Sequence, residues 1–151
     1  MIKIICVGKI KEKFYKEAIQ EYQKRLSKYT KLKIIEVEDY NLDNENIIKQ
    51  KEKEQILKYI EPKDYVITLE IEGKELSSIE LSKKIQELEQ INPNITFIIG
   101  GSYGLDDEIK NISNLKLSFS KLTFPHQLFR VILLEQIYRA YKIKNNESYH
   151  K

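Results

Sequence analysis

Short apolar runs and amphipathic stretches alternate along the whole chain. The apolar runs are rich in Ile, Val and other strand-forming residues and predict five strands, at residues 2–7, 33–38, 65–71, 95–99 and 115–119. Between them, apolar residues recur at helical spacing, which predicts helices at residues 14–29, 47–60, 77–91 and 106–112 and from residue 128 onward. Strands that alternate with helices predict an α/β fold with a mainly parallel sheet and helices on both faces. We expect residues 1–151 to form a single domain.

Local signals place several ends of these elements. Ser77 or Ser78 is expected to cap the third helix, and Pro93 to close it. Residues 72–74, Glu-Gly-Lys, predict a turn after the third strand. Residues 50–55, in the middle of the second helix, are polar on all sides, so we expect them to be exposed.

The last helix is the most apolar one. It begins near Pro125, since proline is tolerated where a helix's first turn leaves N–H groups unpaired. Its apolar positions leave little of the circumference polar, which indicates burial on most sides. In a chain this short, a second copy is the simplest source of the covering surface, so we expect a homodimer packed through this helix. The apolar positions are Leu128, Val131, Ile132, Leu133, Leu134, Ile137, Tyr138 and Tyr141.

Charge is distributed unevenly along the chain, although the net charge is only +3. Residues 1–33 carry ten Lys/Arg against three Asp/Glu, and residues 121–151 carry six against two. Residues 34–120 carry ten against eighteen. Solvated helix faces would explain any one basic segment, but two basic ends around an acidic centre favour a nucleic-acid partner.

Cysteine, histidine and hydropathy limit the remaining classes. Cys6 is the only cysteine and lies inside the first apolar run, so we expect a small core residue in a reducing, cytoplasmic setting. No apolar stretch approaches the roughly 18 residues of a membrane span, and we expect no membrane partner. The only histidines are His126 and His150, with no cluster at metal-ligand spacing, so we expect no metal.

Candidate binding residues follow the predicted strands. Open α/β sheets bind ligands beyond the carboxyl ends of their strands, and three such ends stand out, at residues 69–74, 100–104 and 119–124. Gly100 and Gly101 follow a buried strand directly and would let a flat ligand approach the backbone, although a tight strand-to-helix turn explains them as well. The chain has neither a Gly-x-Gly-x-x-Gly fingerprint after its first strand nor a Walker-type phosphate loop.

Two further segments carry chemistry-bearing side chains. His126 follows Pro125 at the start of the last helix, where an anion or a carbonyl is favoured nearby, and capping is the alternative role. The sequence ends Tyr149-His150-Lys151, residue types that stack a base, move a proton and hold a phosphate. Terminal segments are more often disordered, which is the competing interpretation.

Taken together, these motifs resemble those of the ribosomal RNA large-subunit methyltransferase H family, one of the knotted (SPOUT) methyltransferases that use S-adenosylmethionine. The resemblance spans the whole chain, except that the central acidic helix matches poorly. The motifs that carry it are Val7-Gly8, Thr68-Leu69 with Gly73-Lys74, Ile99-Gly100-Gly101 with Gly104-Leu105, Leu122-Thr123-Phe124-Pro125-His126, Arg130, Glu135-Gln136-Ile137-Tyr138-Arg139-Ala140 and Tyr149-His150-Lys151.

The resemblance implies a fold and a reaction. The C-terminal part of the chain would be threaded into a deep trefoil knot, which general folding rules would not suggest. The implied reaction is methylation of N3 of a pseudouridine in the helix 69 stem-loop of 23S ribosomal RNA, in the assembled ribosome. S-adenosylmethionine would bind, bent, against Leu69, Gly100, Gly101, Gly104, Phe119, Ser120, Lys121, Leu122, Thr123 and Phe124.

Roles for the remaining candidates follow from the implied chemistry. A sulfonium methyl is already electrophilic, so the enzyme must align it and help the imide N–H lose its proton, and no metal is required. His150 is the first candidate for the base and Glu135 the second.

The other candidates are assigned to binding. Arg130, Arg139 and Lys151 are expected to hold phosphates or the base edge, although Arg130 could instead pair with a carboxylate in the dimer interface. Tyr149 or Tyr138 is expected to stack on the base, with His126 near the substrate. The tail and the donor site are expected to come from different protomers.

Three other functions stay open at this point. The chain could methylate transfer RNA or another ribosomal position, because the donor-site residues do not define the acceptor. It could be an RNA-binding ribosome-assembly protein without activity, which the basic ends alone would permit. A small-molecule α/β enzyme would leave the charge distribution without a purpose.

Overall fold

The computed structural model describes residues 1–92 and 94–151 of the chain. Five strands alternate with five helices, as the hydrophobic pattern predicts. The strands are β1 (Ile2–Val7), β2 (Leu32–Val37), β3 (Tyr65–Glu75), β4 (Ile95–Ile99) and β5 (Leu115–Ser118). The helices are α1 (Lys13–Leu26), α2 (Glu45–Leu57), α3 (Ser78–Ile91), α4 (Asp107–Ile112) and α5 (His126–Lys144).

All five strands run parallel in one sheet, in the order β2-β1-β4-β3-β5. Strand β1, the second in this order, pairs Ile4 with Ile34 on one side and with Phe97 on the other. Every residue of β1 and of β4 is buried, because helices cover both faces of the sheet. The predicted α/β class with a parallel sheet is confirmed.

Alternate residues of the strands serve two separate cores. Cys6 and Phe97 face α1, α3 and α5, whereas Ile5 and Ile98 face α2 and α4. Cys6 is fully buried, and desolvation raises the pKa of its thiol to about 11. Its predicted role as a small core residue is therefore confirmed.

Helix α5 is buried mainly by its own chain. Leu133, Leu134 and Ile137 are fully buried in the core that α5 shares with α1 and α3. The opposite side of α5, which includes Val131 and Ile132, is half-exposed. The predicted burial on most sides is supplied largely by the same chain, and the homodimer stays a prediction in which a partner would cover the half-exposed side.

The prediction of a turn at residues 72–74 was wrong. Strand β3 continues to Glu75, and Leu117 of β5 pairs with both Leu69 and Lys74. The intervening residues form a bulge within the ladder. At Gly73 an added Cβ would lie 2.8 Å from the backbone of β5, so the close approach of the two strands requires glycine.

Helix α2 differs from its predicted exposure most clearly at Glu52. Residues 50–55 were expected to be exposed, but Glu52 has only 3% of its surface accessible. Its burial depends on the loop after β4, which lies far away in sequence, so the local pattern could not show it. The predicted start of α3 is confirmed, since Ser77 forms a capping box with Glu80. Pro93, expected to close α3, lies outside the described residues.

The path of the C-terminal part sets the site. After β4 the chain passes α4 and reaches β5 on the far side of β3, and α5 then returns to contact both α3 and α1. The deep trefoil knot stays a prediction; in a crystal structure, a backbone that becomes an unknotted curve when its two ends are joined would contradict it.

Candidate active site

The carboxyl ends of all five parallel strands meet along one edge of the sheet, and two neighbouring cavities open there. The first, which we call the glycine pocket, lies at the ends of β4, β3 and β5 and has a volume of about 360 Å³. Nine of the ten residues predicted to bind a cofactor line it. They are Leu69, Gly100, Gly101, Gly104, Phe119, Ser120, Leu122, Thr123 and Phe124.

The glycines allow the chain to fold back tightly in this pocket. A Cβ on Gly100 would lie 3.0 Å from the Gly104 backbone and from the Leu105 side chain. Gly104 has a φ of +81°, a conformation that favours glycine, and its N–H donates to Gly101 O at 3.0 Å. These contacts are those of a tight turn, and the turn forms one wall of the glycine pocket.

Aromatic rings support the opposite wall. Phe129 of α5 packs against Phe119 and Phe124, with ring centroids 5.1 Å and 5.7 Å apart. The Ser120 hydroxyl accepts a hydrogen bond from Leu122 N at 2.9 Å and so holds the loop in shape. Lys121, the tenth predicted residue, is exposed and does not line the pocket.

Several lining residues were not predicted. Glu70 follows Leu69 directly, accepts from the Thr68 hydroxyl at 2.6 Å and lies 3.9 Å from the Lys110 ammonium. It lies within β3, at the point where the ladder to β5 is interrupted, and its place directly after Leu69 is the signal that could have revealed it. Tyr103, half-exposed on the far wall, lies in a segment that was singled out only for its glycines.

The second cavity, which we call the carboxylate cleft, lies at the ends of β1 and β2 and has a volume of about 900 Å³. It adjoins the glycine pocket, because Gly101, Ser102, Tyr103 and His126 line both. Charged side chains dominate the rest of its lining. They are Lys9, Lys11, Glu36, Glu38, Asp39, Glu52 and Arg130.

Arg130 is an internal clamp in this cleft. Its guanidinium donates to the carbonyls of Val7 and Gly8 at 2.7 Å and 2.6 Å and to the Glu36 carboxylate at 2.8 Å. The residue is 3% exposed, and its Nε has no hydrogen-bond partner among the described residues. Arg130 pairs with a carboxylate of its own chain, so the predicted contact with a phosphate would have to compete with this clamp.

Glu52 lies at the bottom of the same cleft. Its carboxylate oxygens are 2.9 Å and 3.1 Å from the point where a Cβ on Gly101 would lie. Desolvation, followed by repulsion from Asp39, raises the pKa of Glu52 to about 7. The helix pattern gave no sign of this residue.

The predicted tail residues form a cluster on the half-exposed side of α5. Tyr149 donates to Glu135 at 3.0 Å, and Arg139 pairs with the same carboxylate at 2.8 Å. Arg139 also lies over the Tyr149 ring at 4.7 Å and 3.1 Å from Nδ1 of His150. The terminal segment is therefore packed rather than loose. Lys151 is exposed beside it.

This cluster is distant from the glycine pocket within one chain. Glu135 and Arg139 lie nine and thirteen residues after His126 on the same helix, which corresponds to about 14 Å and 20 Å along the axis. Tyr138 is 9% exposed and packs against the rings of Tyr22, Tyr29 and Tyr149. A base could stack on Tyr138 only if this packing opened.

His126 is the first residue of α5, and its exposed side chain lines both cavities. Pro125 occupies the cap position, and no side chain caps this helix within the described residues. The alternative capping role therefore has no support, whereas a position beside a substrate fits the geometry.

Residues 1–92 and 94–151 contain neither a cluster of metal-binding side chains nor a membrane-spanning helix. No three His, Cys, Asp or Glu side chains are grouped so that they could hold a metal ion. No helix in this part of the chain is long and apolar enough to cross a membrane.

Comparisons with known proteins agree with this geometry. A family model described as "Predicted SPOUT methyltransferase" matches residues 1–150. Proteins named ribosomal RNA large subunit methyltransferase H are similar over 99% of both chains, at 55% identity in Clostridium botulinum (strain Kyoto / Type A2) and 57% in Clostridium novyi (strain NT). A protein of Methanococcus maripaludis (strain C5), named as a putative member, is 56% identical over the same share.

A solved structure supports the fold alone. A probable methylase family protein from Haemophilus influenzae Rd KW20 superposes with a TM-score of 0.57 at 14% identity, covering 99% of this chain and 70% of that one. The full-length family match and the relatives above 50% identity settle the assignment: the chain belongs to the SPOUT methyltransferase family, together with relatives that carry the name ribosomal RNA large subunit methyltransferase H.

Proposed function

We propose that this protein transfers the methyl group of S-adenosylmethionine to a base of large-subunit ribosomal RNA. The observation that carries the proposal is the glycine pocket, which lies at the strand edge of a SPOUT methyltransferase chain whose relatives are named for this reaction over their full length. We further propose that residues 1–151 act as one domain in the cytoplasm, where ribosomes are found.

The residues of the glycine pocket fit the methyl donor. Gly100 and Gly101 leave a backbone surface without side chains, which a flat adenine ring can approach closely. Leu122 and Phe124 supply apolar cover on the other wall, and the volume of about 360 Å³ lies in the range of ligand sites, about 300–1,000 Å³. When bound, the donor supplies an electrophilic sulfonium methyl group.

The protein's own part in the reaction is alignment and removal of a proton. His126 and Tyr103 stand at the boundary of the two cavities, where the acceptor atom would face the methyl group. We propose His150 as the base that takes the proton from the acceptor N–H, with Glu135 as the second candidate. His150, Arg139, Tyr149 and Lys151 would hold the nucleotide from the tail cluster.

The separation of about 14–20 Å between the tail cluster and His126 supports a composite site. We propose a homodimer in which the half-exposed sides of two α5 helices meet in antiparallel orientation. The tail of one protomer would then lie next to the glycine pocket of its partner. The half-exposed Leu128, Val131 and Ile132 supply an apolar centre for this contact.

We propose the finer target given by the resemblance, N3 of a pseudouridine in the helix 69 stem-loop of the assembled ribosome. The basic ends of the chain, with +7 over residues 1–33 and +4 over residues 121–151, support a polyanionic partner.

The test is to incubate the protein with S-adenosylmethionine and either unmethylated ribosomes or free 23S RNA, and to locate methylpseudouridine by mass spectrometry. Donor binding is measured in parallel by calorimetry. We expect one methylated pseudouridine in ribosomes. Donor binding without methylation would redirect the search to other RNAs, and loss of both would favour an assembly protein.

The role of the tail is tested separately. We expect His150→Ala to lower turnover and to remove the rise of turnover with pH, while donor affinity stays unchanged. Full turnover at every pH would exclude His150 as the base.

The composite site is tested with mixed dimers. A Gly100→Val chain and a His150→Ala chain, each inactive alone, are refolded together. An equal mixture should recover about a quarter of the wild-type sites, because half of the dimers are mixed and each has one working site. No recovery in verified heterodimers would contradict the composite arrangement.

A further inference from the structure

Glu52 is 3% exposed, and no hydrogen bond or ion pair joins its side chain to any residue in the described ranges, 1–92 and 94–151. Its carboxylate oxygens are not among the fully buried unpaired atoms of these ranges, so the accessible part of the residue includes the carboxylate, which lines the carboxylate cleft. Its carboxylate lies against Gly101, where a Cβ would come within 2.9 Å of it. The missing side chain at Gly101 therefore makes room for the carboxylate.

The Glu52 carboxylate is open to a hydrogen-bond donor from outside the chain. Buried carboxylates are nearly always hydrogen-bonded or paired, because desolvation without compensation is costly. Asp39 carries the same charge, and its repulsion raises the pKa of Glu52 further. A pKa of about 7 means that Glu52 can be ionised near neutral pH once a donor approaches.

The position of Glu52 indicates which molecule supplies its hydrogen-bond donor. It lines the carboxylate cleft, whose volume of about 900 Å³ falls within the range of ligand sites. Gly101, Ser102 and Tyr103 separate it from the glycine pocket by a single segment of chain. A group held in this cleft is thus directly beside the donor site proposed above.

We propose that the carboxylate cleft receives the acceptor base, and that Glu52 accepts a hydrogen bond from the ring N–H that is not methylated. This inference rests on the proposed function. Lys9 and Lys11, exposed on the cleft, would face the phosphates on either side of the base, and Tyr103 offers an exposed ring to its face.

The chemistry of the base gives Glu52 a role in specificity. A uracil ring attached to ribose through carbon has two ring N–H groups, so one can be methylated while the other donates. A uracil attached through nitrogen has only one. An acceptor that is buried and otherwise unpaired discriminates strongly against a ligand that lacks the donor. Glu52 would therefore select pseudouridine over uridine.

The experiment compares wild type, Glu52→Gln and the control Glu54→Gln, whose side chain is exposed on the same helix. Two synthetic stem-loops or reconstituted ribosomes are used, identical except for pseudouridine or uridine at the target. Calorimetry gives the donor affinity, which also verifies that each variant is folded. Methyl transfer at saturating donor gives kcat/KM for each acceptor.

We expect Glu52→Gln to lower kcat/KM on the pseudouridine acceptor about 10- to 100-fold, the effect of a hydrogen bond to a charged group. The preference for pseudouridine over uridine should shrink by a similar factor, while donor affinity stays within about twofold. Glu54→Gln should match wild type.

Three results would overturn the inference. Weaker donor binding in Glu52→Gln would mean that Glu52 holds the donor's ammonium group instead. An unchanged pseudouridine preference, with wild type active, would leave Glu52 with a structural role and the proposed function intact. A wild type that methylates neither acceptor would remove the proposed function and this inference with it.

Discussion

The two cavities share a wall and yet differ in every other physical respect. The glycine pocket is the smaller one, is lined largely by backbone and apolar side chains with Glu70 and Lys110 among them, and is supported by the packed rings of Phe119, Phe124 and Phe129. The carboxylate cleft is more than twice as large, and its lining contains seven charged residues, including Arg130 and Glu52. The difference suits the methyl donor in the glycine pocket and a charged nucleotide in the carboxylate cleft.

The position of each cavity in the sheet explains this difference. The glycine pocket is built from β4, β3 and β5, where a bulge and Gly73 let two strands approach closely. The carboxylate cleft is built from β1 and β2, whose following loops carry lysines and carboxylates. A parallel sheet thus separates the two tasks by strand order, with the Gly101 segment as the boundary.

The largest expected effect is the pH dependence of stability caused by Glu52. Its pKa is about 7 in the folded protein and near its ordinary value of 4.5 when unfolded. The folded state holds the proton more tightly, so this contribution is complete below about pH 4.5 and is lost as pH rises through about 7. Relative to Glu52→Gln, wild type should lose up to about 3 kcal/mol over this range.

Urea unfolding of both proteins between pH 5 and pH 8 measures this loss, with Glu54→Gln as the control that should follow wild type. If the difference between wild type and Glu52→Gln stayed constant with pH, the raised pKa would be refuted.

The next largest effect is a loss of affinity for the methyl donor when the loop shared by the two cavities is changed. Gly100→Val places a side chain within 3.0 Å of the Gly104 backbone, and we expect donor affinity to fall about 100-fold, near the upper cost of overpacking. Gly104→Asn is the matched control, because Asn tolerates positive φ and nothing lies within 4 Å of the new Cβ. Calorimetry measures the donor affinity of both variants, and equal losses would contradict the role of close packing at Gly100 in shaping the glycine pocket.

A smaller effect distinguishes a clamp from a phosphate ligand. Arg130→Met removes the hydrogen bonds of the guanidinium to two strand-end carbonyls and to Glu36, which still accepts from Ile10 N at 2.8 Å, and we expect the free energy of unfolding to fall by about 2 kcal/mol. Arg25→Met, which breaks an exposed pair with Glu21, should cost less than about 0.5 kcal/mol.

The salt dependence of RNA binding completes this comparison. The clamp predicts an unchanged slope for Arg130→Met, whereas a lost phosphate contact would reduce the slope by about 1. A reduced slope with unchanged stability would restore the direct phosphate role for Arg130.

The smallest effect concerns the rim of the carboxylate cleft. The double variant Lys9→Gln, Lys11→Gln should bind RNA several-fold more weakly at low salt and lower the salt slope by about 2, while donor affinity stays unchanged. Lys63→Gln serves as control, because Lys63 is exposed just before β3, at the opposite edge of the sheet. Fluorescence titration of a labelled stem-loop at several salt concentrations gives the slopes, and equal slopes in all three proteins would show that the rim does not meet phosphate.

Sequence patterns predicted the parts of the site that depend on local order. Gly100 and Gly101 follow β4, and Leu69 lies near the end of the predicted third strand; the parallel arrangement brings these positions to one edge, so the glycine pocket could be anticipated. Phe119 to Phe124 could be placed there for the same reason.

Features that depend on packing between distant elements could not be predicted. Glu52 resembles its exposed neighbours in sequence and is distinguished only by its contact with Gly101. The partners of Arg130 come from residues 7, 8 and 36, more than 90 positions away. The bulge after Leu69 likewise depends on pairing with β5, which lies more than 40 residues later in the sequence, so the local pattern of β3 could not reveal it.

The central claim is that donor and acceptor occupy the two cavities on either side of the Gly101 segment. It is tested by placing 4-thiopseudouridine, which keeps both ring N–H groups, at the target position of a stem-loop, irradiating it in complex with the protein and S-adenosylhomocysteine, and mapping the crosslinked peptides by mass spectrometry. The account predicts crosslinks within residues 38–42 or at Ser102 and Tyr103, on the walls of the carboxylate cleft. Crosslinks that miss both segments would contradict it.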